Sequence, residues 1–394
     1  MLHFHSYSTR IVNTTRGVQE CLESALGDDY SKADLLIFHA SLGHDYNELM
    51  EAAREMAPDA QIVVCSCCGV VGREGVSESM KDMALMAVTG KEYAIAHCDG
   101  LSGDNAYEKC LEMATDLRLQ NPEVNMVYYL GSGIDTANDK CIQAIEQALG
   151  KEVTIFGATS SDNMRGVVNY QGVNGSLMEH GAFMIGFADP TLKIETQATH
   201  GFEAVGDPLV VTKSEGHIIK ELNGKPAWTE YTHRLGLDTT ATCGDTIPIG
   251  ALGEELSSEK ASEYGNKHIL RVVTKYEGDD MYYATEIEDG TSLYLTTRNE
   301  DLIFNEMDRI VNEIIGRLDG KKPVAVFHAD CLARGRSLFN RIIKEELVAR
   351  MQHPFFVNDE CPPWLGMYGF GEFARLGSEN EYHNYTTALY VLYR

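Results

Sequence analysis

The chain predicts an α/β protein: mixed β-sheets covered by helices, built from repeated strand–helix–strand–strand units and divided into two domains. Three observations carry that expectation. An apolar β-prone run, an amphipathic helix and a second apolar run follow one another within about 30 residues, the spacing of a right-handed parallel crossover. This order recurs three times along the 394 residues. Each unit then passes through a loop of small and chemically active residues into a further apolar strand. That last strand returns after a longer loop and can run antiparallel, so the sheets are expected to be mixed.

The first unit opens with Leu35 to Ala40 and continues through a helix from Asn47 to Ala57, stopped by Pro58. It goes on through Gln61 to Ser66 and the loop CCGVVG to a strand at Met83 to Val88. The second takes Asn125 to Leu130, a helix from Ala137 to Leu149 ended by Gly150, Val153 to Phe156, the loop GATSSDN, and Ala182 to Phe187. The third runs from Val324 to Phe327 through a helix at Ser337 to Met351, then a strand and loop around Trp364 to Glu372, and closes at Thr387 to Tyr393. Between the second and third units the pattern changes. Lys213 to Ala227 reads as a hairpin turning at Gly216 and at Asn223-Gly224, since Asn-Gly supplies the left-handed turn residues. A short helix follows at Trp228 to Leu235, and Thr239 to Tyr264 is loop-rich. His268 to Thr274 and Met281 to Glu286 alternate like antiparallel strands. A long helix at Leu302 to Leu318 carries Ile303, Met307, Ile310, Ile314 and Ile315 close to helical period. The domain boundary is expected near Thr199 to Pro208, giving domains 1–205 and 206–394. Helices at Val18 to Leu26 and Tyr107 to Leu117 are assigned packing only, and the start, with His3 and His5, reads as loose chain.

Composition excludes several functions. The 33 basic and 59 acidic residues leave a net charge of −26, which repels phosphate backbones and anionic membranes. No apolar run reaches the roughly 18 residues that span a bilayer, and the start lacks the form of a signal peptide. Ten cysteines without a secretory signal read as reduced thiols, and the expected location is cytoplasmic.

Chemistry concentrates in the loops after each unit's second strand, where α/β folds place ligands. The first loop offers Cys65, Ser66, Cys67 and Cys68; the second offers Asp162, Asn163 and Arg165. The third, GMYGFGEFARLGSENEYHN, offers Gly371, Glu372, His383 and Asn384, while Cys331 and Arg334 end that unit's first strand. One reading of the Gly-rich end is a tight hairpin with a surface Glu372. The other is a ligand site in which Arg334 takes a carboxylate and Asp162 or Glu372 an ammonium. Arg334 pairing Glu372 as a purely structural ion pair is the alternative.

Taken in order, these stretches resemble the FIST sensory family. The family's opening "V-T-x-x-x-G…E-L-x-G-x-P-A" is matched by Val211 to Ala227, its "C-x-x-R" by Cys331 to Arg334, and its closing "G-x-Y-x-x-G-E" and "H-N" by Gly366 to Glu372 and His383-Asn384. Upstream, Phe156 to Gly175 is similar to the N-terminal half, and Cys65 to Gly72 more loosely so. The resemblance implies a FIST N-like domain over 1–205 and a FIST C-like domain over 206–394. It implies a sensor of small ligands that signals by non-covalent contact to a kinase, cyclase or chemoreceptor. A small polar metabolite such as an amino acid is the expected ligand, with no cofactor and no metal. Some members are reported to bind haem and respond to nitric oxide, which makes haem, held by His328 or His383, the principal alternative.

A metal site is not expected at Cys65, Cys67 and Cys68, because structural zinc needs a second ligand pair that the spacing does not supply. A thiol-dependent enzyme using Cys331 is the second alternative. His328 lies three residues away on a strand and points to the opposite face, so His383 would have to serve as base.

Overall fold

The computed structural model describes residues 1–335 and 339–394. The three expected units are present, and each is longer than its sequence signature. The first comprises β1 (His3–Thr9), α1 (Thr14–Leu26), β2 (Leu35–Ser41), α2 (Tyr46–Met56), β3 (Gln61–Cys67), β4 (Val70–Gly72), β5 (Gly75–Ser77) and β6 (Met83–Thr89). The second repeats this order in β7 (Tyr93–Cys98), α3 (Ala106–Gln120), β8 (Met126–Ser132), α4 (Asn138–Leu149), β9 (Thr154–Ser160), β10 (Gln171–Val173), β11 (Ser176–Met178) and β12 (Ala182–Phe187).

The third unit is interrupted after β13 (Lys193–Thr199). The interruption holds β14 (Phe202–Glu215), β15 (Ile218–Leu222), β16 (Lys225–Pro226), α5 (Ala227–Leu235), α6 (Cys243–Thr246), β17 (Leu252–Glu255), α7 (Ser258–Tyr264), β18 (His268–Arg271), β19 (Lys275–Glu277), β20 (Asp280–Tyr282) and β21 (Ser292–Arg298). The unit resumes with α8 (Glu300–Leu318), β22 (Pro323–Cys331), α9 (Arg341–Gln352), β23 (Trp364–Gly369), β24 (Glu372–Leu376), β25 (Glu379–His383) and β26 (Thr387–Tyr393). The interrupting strands form their own antiparallel sheet. The expected turns at Gly216 and Asn223-Gly224 are there, whereas the stretch read as loop-rich contains α6, β17 and α7. Ser337 and Leu338, the first two residues of the expected third helix, lie outside the described residues, as does Arg336 before them.

Three six-stranded sheets share one strand order: β1-β6-β2-β3-β10-β11, β7-β12-β8-β9-β24-β25 and β13-β26-β22-β23-β4-β5. Within each, the crossover strands are parallel, as in Leu35 opposite Gln61, and the last strand returns antiparallel. The last two strands in each order, a hairpin, never belong to the sheet's own unit. The first unit's hairpin completes the third sheet, the second's completes the first, and the third's completes the second. The registers agree: Val70 faces Met367, Gln171 faces Cys65 and Glu372 faces Ala158. These three hairpin residues therefore occupy equivalent places about a pseudo-threefold axis.

Local sequence explains the elements. LLIFHAS is buried throughout because β2 has neighbours on both edges and is covered on both faces. The side chain of Asn13 caps α1 and that of Asp45 caps α2 by accepting first-turn N–H groups. The inner faces of the sheets meet in a central core where Tyr128, Phe156, Phe327 and Tyr390 are in ring contact. Helix pairs α1/α2, α3/α4 and α8/α9 cover the outer faces. The start is not loose: β1 pairs along its whole length with β6 and buries Phe4 and Ser6.

At Gly157 this interlocking leaves no room. This glycine lies in β9, the strand that accepts the third unit's hairpin; its φ is +130° and an added Cβ would lie 2.1 Å from the carbonyl oxygen of Tyr129 in the neighbouring β8. Gly157→Ala should therefore cost about 3 kcal/mol, read as a lowered urea midpoint; an unchanged midpoint would contradict the close approach.

Candidate functional site

The loops at the strand ends do converge, through backbone hydrogen bonds between units. Cys68 N–H donates to Tyr368 O, Ser161 N–H to Ser66 O, and Thr159 N–H to Gly371 O. The predicted residues divide there into two groups. Asp162 is buried, and its carboxylate accepts from the N–H groups of Arg165, Gly166, Val167 and Val168 at 2.7, 3.0, 2.8 and 3.4 Å. That carboxylate holds its own loop closed. Asn163 is half-buried in the same loop and Arg165 points to solvent.

Cys331, Arg334, Gly371, Glu372, His383 and Asn384 form the second group, at the ends of β22 to β25. Gly371 is required by packing, since a Cβ there would meet the Tyr382 hydroxyl at 2.0 Å. Arg334 is fully buried and does not pair with Glu372. Its Nε donates to Asp330 Oδ1 at 3.0 Å and its Nη1 to the His200 carbonyl at 2.5 Å. Asp330 was not singled out from sequence; its four-residue spacing from Arg334 was the available signal. Asn384 bridges Val272 N–H and Phe370 O, tying the Gly-rich loop to the inserted sheet.

Glu372 is fully buried, contrary to the surface-hairpin reading. Neither of its carboxylate oxygens has a hydrogen-bond partner, although Thr386 N–H and the Cys331 thiol lie beside it. Opposite it in register is His383, whose Nδ1 lies 3.4 Å from the Tyr264 hydroxyl and whose Nε2 has no partner. Tyr264 comes from α7 and His200 from the start of the insertion, so the interrupting segment covers this polar cluster.

The equivalent residues in the other units show what the fold alone needs. Val70 is apolar. Gln171 is buried like Glu372, but its Oε1 accepts from Gly181 N–H at 2.9 Å and its Nε2 donates to Asn169 Oδ1 at 2.6 Å. Only in the third unit does an ionisable group stand at this place with its oxygens unused.

Burial, then the neighbouring Asp330, pushes the Glu372 carboxyl well above the usual range. Burial also raises Asp330, to about 6, against the pull of Arg334. Three histidines are held neutral by burial, His200, His328 and His383 each falling to about 3, with Arg334 or Arg271 opposing their charge further. His200 accepts from Phe202 N–H on Nδ1, so its Nε2 carries the proton donated to His268 O. The Cys331 thiol is pushed up by burial and by Glu372, which suppresses the thiolate a nucleophile needs. Haem does not fit either candidate ligand. His328 bonds Thr387 at 2.8 Å and lies 3.8 Å from Asp330, and His383 stands among Tyr264, Arg271 and Glu372. These surroundings are polar and charged, unlike the apolar slot around a porphyrin. Among the described residues no group of three His, Cys, Asp or Glu is placed to hold a metal.

Interlocked strand–helix–strand units with an inserted sheet covering a buried, partly unsatisfied polar cluster define the class: an α/β protein whose distinctive chemistry lies at its strand ends. Family models identify it further, the FIST N domain matching residues 34–225 and the FIST C domain residues 227–375. The chain belongs to the FIST family, whose domains are described as small-ligand-binding sensory domains. His383 and Asn384 lie beyond the matched span. An uncharacterized protein of Methanocaldococcus jannaschii is 22% identical over 376 residues, 86% of this chain and 70% of that one. Phosphoribosylformylglycinamidine synthase II of Thermotoga maritima aligns with 100% of this chain and 72% of its own at 10% identity, with a TM-score of 0.21, too low to carry an argument.

Two outcomes follow from these environments. Asp162→Ala should free the loop and accelerate tryptic cleavage after Arg165, read by mass spectrometry of native digests; an unchanged rate would mean that the four N–H bonds do not hold the loop. A carboxyl whose folded pKa is raised contributes its stability at low pH and loses it as pH climbs above the unfolded value. Glu372→Gln removes that loss, so its stability relative to the parent should grow between pH 5 and 8, by up to about 1.4 kcal/mol per unit. Both proteins should weaken as pH falls from 6.5, because the unfolded chain protonates histidines that the folded chain keeps neutral. A pH-independent difference in urea midpoints would refute the assignment for Glu372.

Proposed function

We propose that this protein is a cytoplasmic sensor that binds a small polar metabolite in the chamber around Cys331, Arg334, Glu372, His383 and Asn384. One observation carries the reading: a buried carboxylate without partners stands where the second unit has a fully hydrogen-bonded glutamine. Burying such a group costs several kcal/mol unless something satisfies it, and a ligand with hydrogen-bond donors would do so. Amino acids are the first class to consider. Asn384 and Tyr264 join the chamber to the inserted sheet, so ligand contacts there would reach the surface through that sheet. The signal would then pass by non-covalent contact to a kinase, cyclase or chemoreceptor. Ten free cysteines, most of them buried, agree with a reducing compartment.

Thermal-shift screening against a library of amino acids and related polar metabolites tests this. A ligand at a hundred times its Kd adds about 2.7 kcal/mol to the native state and raises the melting temperature by several degrees. The shift should be lost in Glu372→Gln and kept in Asp162→Asn. Shifts that survive in Glu372→Gln would place the site elsewhere, and a library without any shift would argue against a metabolite sensor.

A further inference from the structure

We infer that the chamber recognises its ligand through an ammonium group seated on Glu372, and not through a carboxylate held by Arg334. The inference rests on the proposed ligand site and specifies its chemistry. Arg334 is committed: Asp330 neutralises it at 3.0 Å, the His200 carbonyl takes a second N–H, and Met307 Sδ lies 3.8 Å from the remaining nitrogen. A ligand carboxylate would have to displace Asp330 and leave that residue buried without its partner, a costly exchange. The histidines around the chamber, His200, His328 and His383, are neutral and supply no cation. Arg271 is likewise occupied, by Glu254 at 2.9 Å and the Tyr382 carbonyl at 2.9 Å.

Once the Asp330–Arg334 pair is set aside, one ionisable group is left over, and it is an acid, whose charged form an arriving ammonium would favour. The Glu372 oxygens and His383 Nε2 are buried and unpartnered. Acceptors on both oxygens suit a group with three N–H donors, and a charge-assisted bond of that kind is stronger than a neutral one. A cleft of about 360 Å³ lies alongside, lined by Glu195, Glu263, Arg317, Arg375 and Tyr264 among others. Its cations are also engaged, Arg317 with Glu195 and Glu313, Arg375 with the Glu152 and Ser378 carbonyls. Tyr264 belongs to both spaces, lining the cleft while its hydroxyl contacts His383 and Thr386, each at 3.4 Å. The cleft therefore offers no free positive group, and Tyr264 is the residue it shares with the surroundings of His383 and Glu372.

Three probes of matched length separate the possibilities: n-butylamine, butyrate and 4-aminobutyrate, titrated calorimetrically into the full chain at pH 7.5. Saturable binding is expected for n-butylamine and absent for butyrate, with 4-aminobutyrate binding no tighter than the amine. In Glu372→Gln the amine should bind at least tenfold more weakly. That variant should fold, since Gln171 fills the equivalent place in the second unit. If it does not, the probe series on the parent protein decides alone. Binding of butyrate, a 4-aminobutyrate affinity well above that of the amine, or an amine affinity unchanged in Glu372→Gln would overturn the inference while leaving a metabolite found in the thermal screen intact. No binding by any of the three would overturn it as well; the sensor reading fails only if the screen is also empty.

Discussion

The exchange of hairpins between units is the constraint on which the rest of the structure depends. Each parallel crossover leaves its second strand with an open edge, and an open edge is a row of unpaired N–H and C=O groups. Here the next unit's hairpin fills it, with Val70, Gln171 and Glu372 in equivalent register opposite Met367, Cys65 and Ala158. No unit can complete its sheet alone. The inner faces then have only one another to pack against, which explains why the central core draws Tyr128 from the second unit and Phe327 and Tyr390 from the third.

The same exchange carries the chemistry inward. A residue that begins a swapped hairpin lies at the junction of two units, beneath the loops of both, and is buried whatever its polarity. The fold tolerates a valine there and a glutamine that finds two partners. It tolerates Glu372 only with the carboxyl shifted toward its neutral form by burial and Asp330. The insertion after β13 adds the remaining wall, placing Tyr264 and His200 against a strand end that would otherwise face solvent. Pseudo-symmetry thus supplies an internal comparison: the unit that departs from it, in both residue type and inserted mass, is the one with unused polar groups.

Separating Asp162 from Arg334 redistributes the roles of two residues of similar appearance. Both are charged and buried beside a small-residue loop. Asp162 is satisfied by four N–H groups of its own turn, a local matter. Arg334 is satisfied by Asp330 and by a carbonyl from the start of the insertion, which also fixes where the insertion sits. Charged residues at strand ends are therefore not interchangeable candidates; their remaining hydrogen-bonding capacity distinguishes them.

The sequence by itself determined the crossover units. Runs such as Leu35 to Ala40 and Asn125 to Leu130 are apolar apart from His39 and Asn125, because a central strand is covered on both faces, and the helices between them keep their 3.6-residue period. The Asn-Gly turn at 223–224 was legible for the same local reason, a need for positive φ. Strands β1, β7 and β13 were not, since each lies in the outer part of its sheet and mixes polar with buried residues, weakening the pattern. Only the tertiary structure decided which hairpin completes which sheet, that Arg334 belongs to Asp330, and that Glu372 lies inside without a partner. Local periodicity records whether a residue is buried. It carries no record of which distant backbone or charge will stand opposite, and that choice settles whether a buried acid is spent or free.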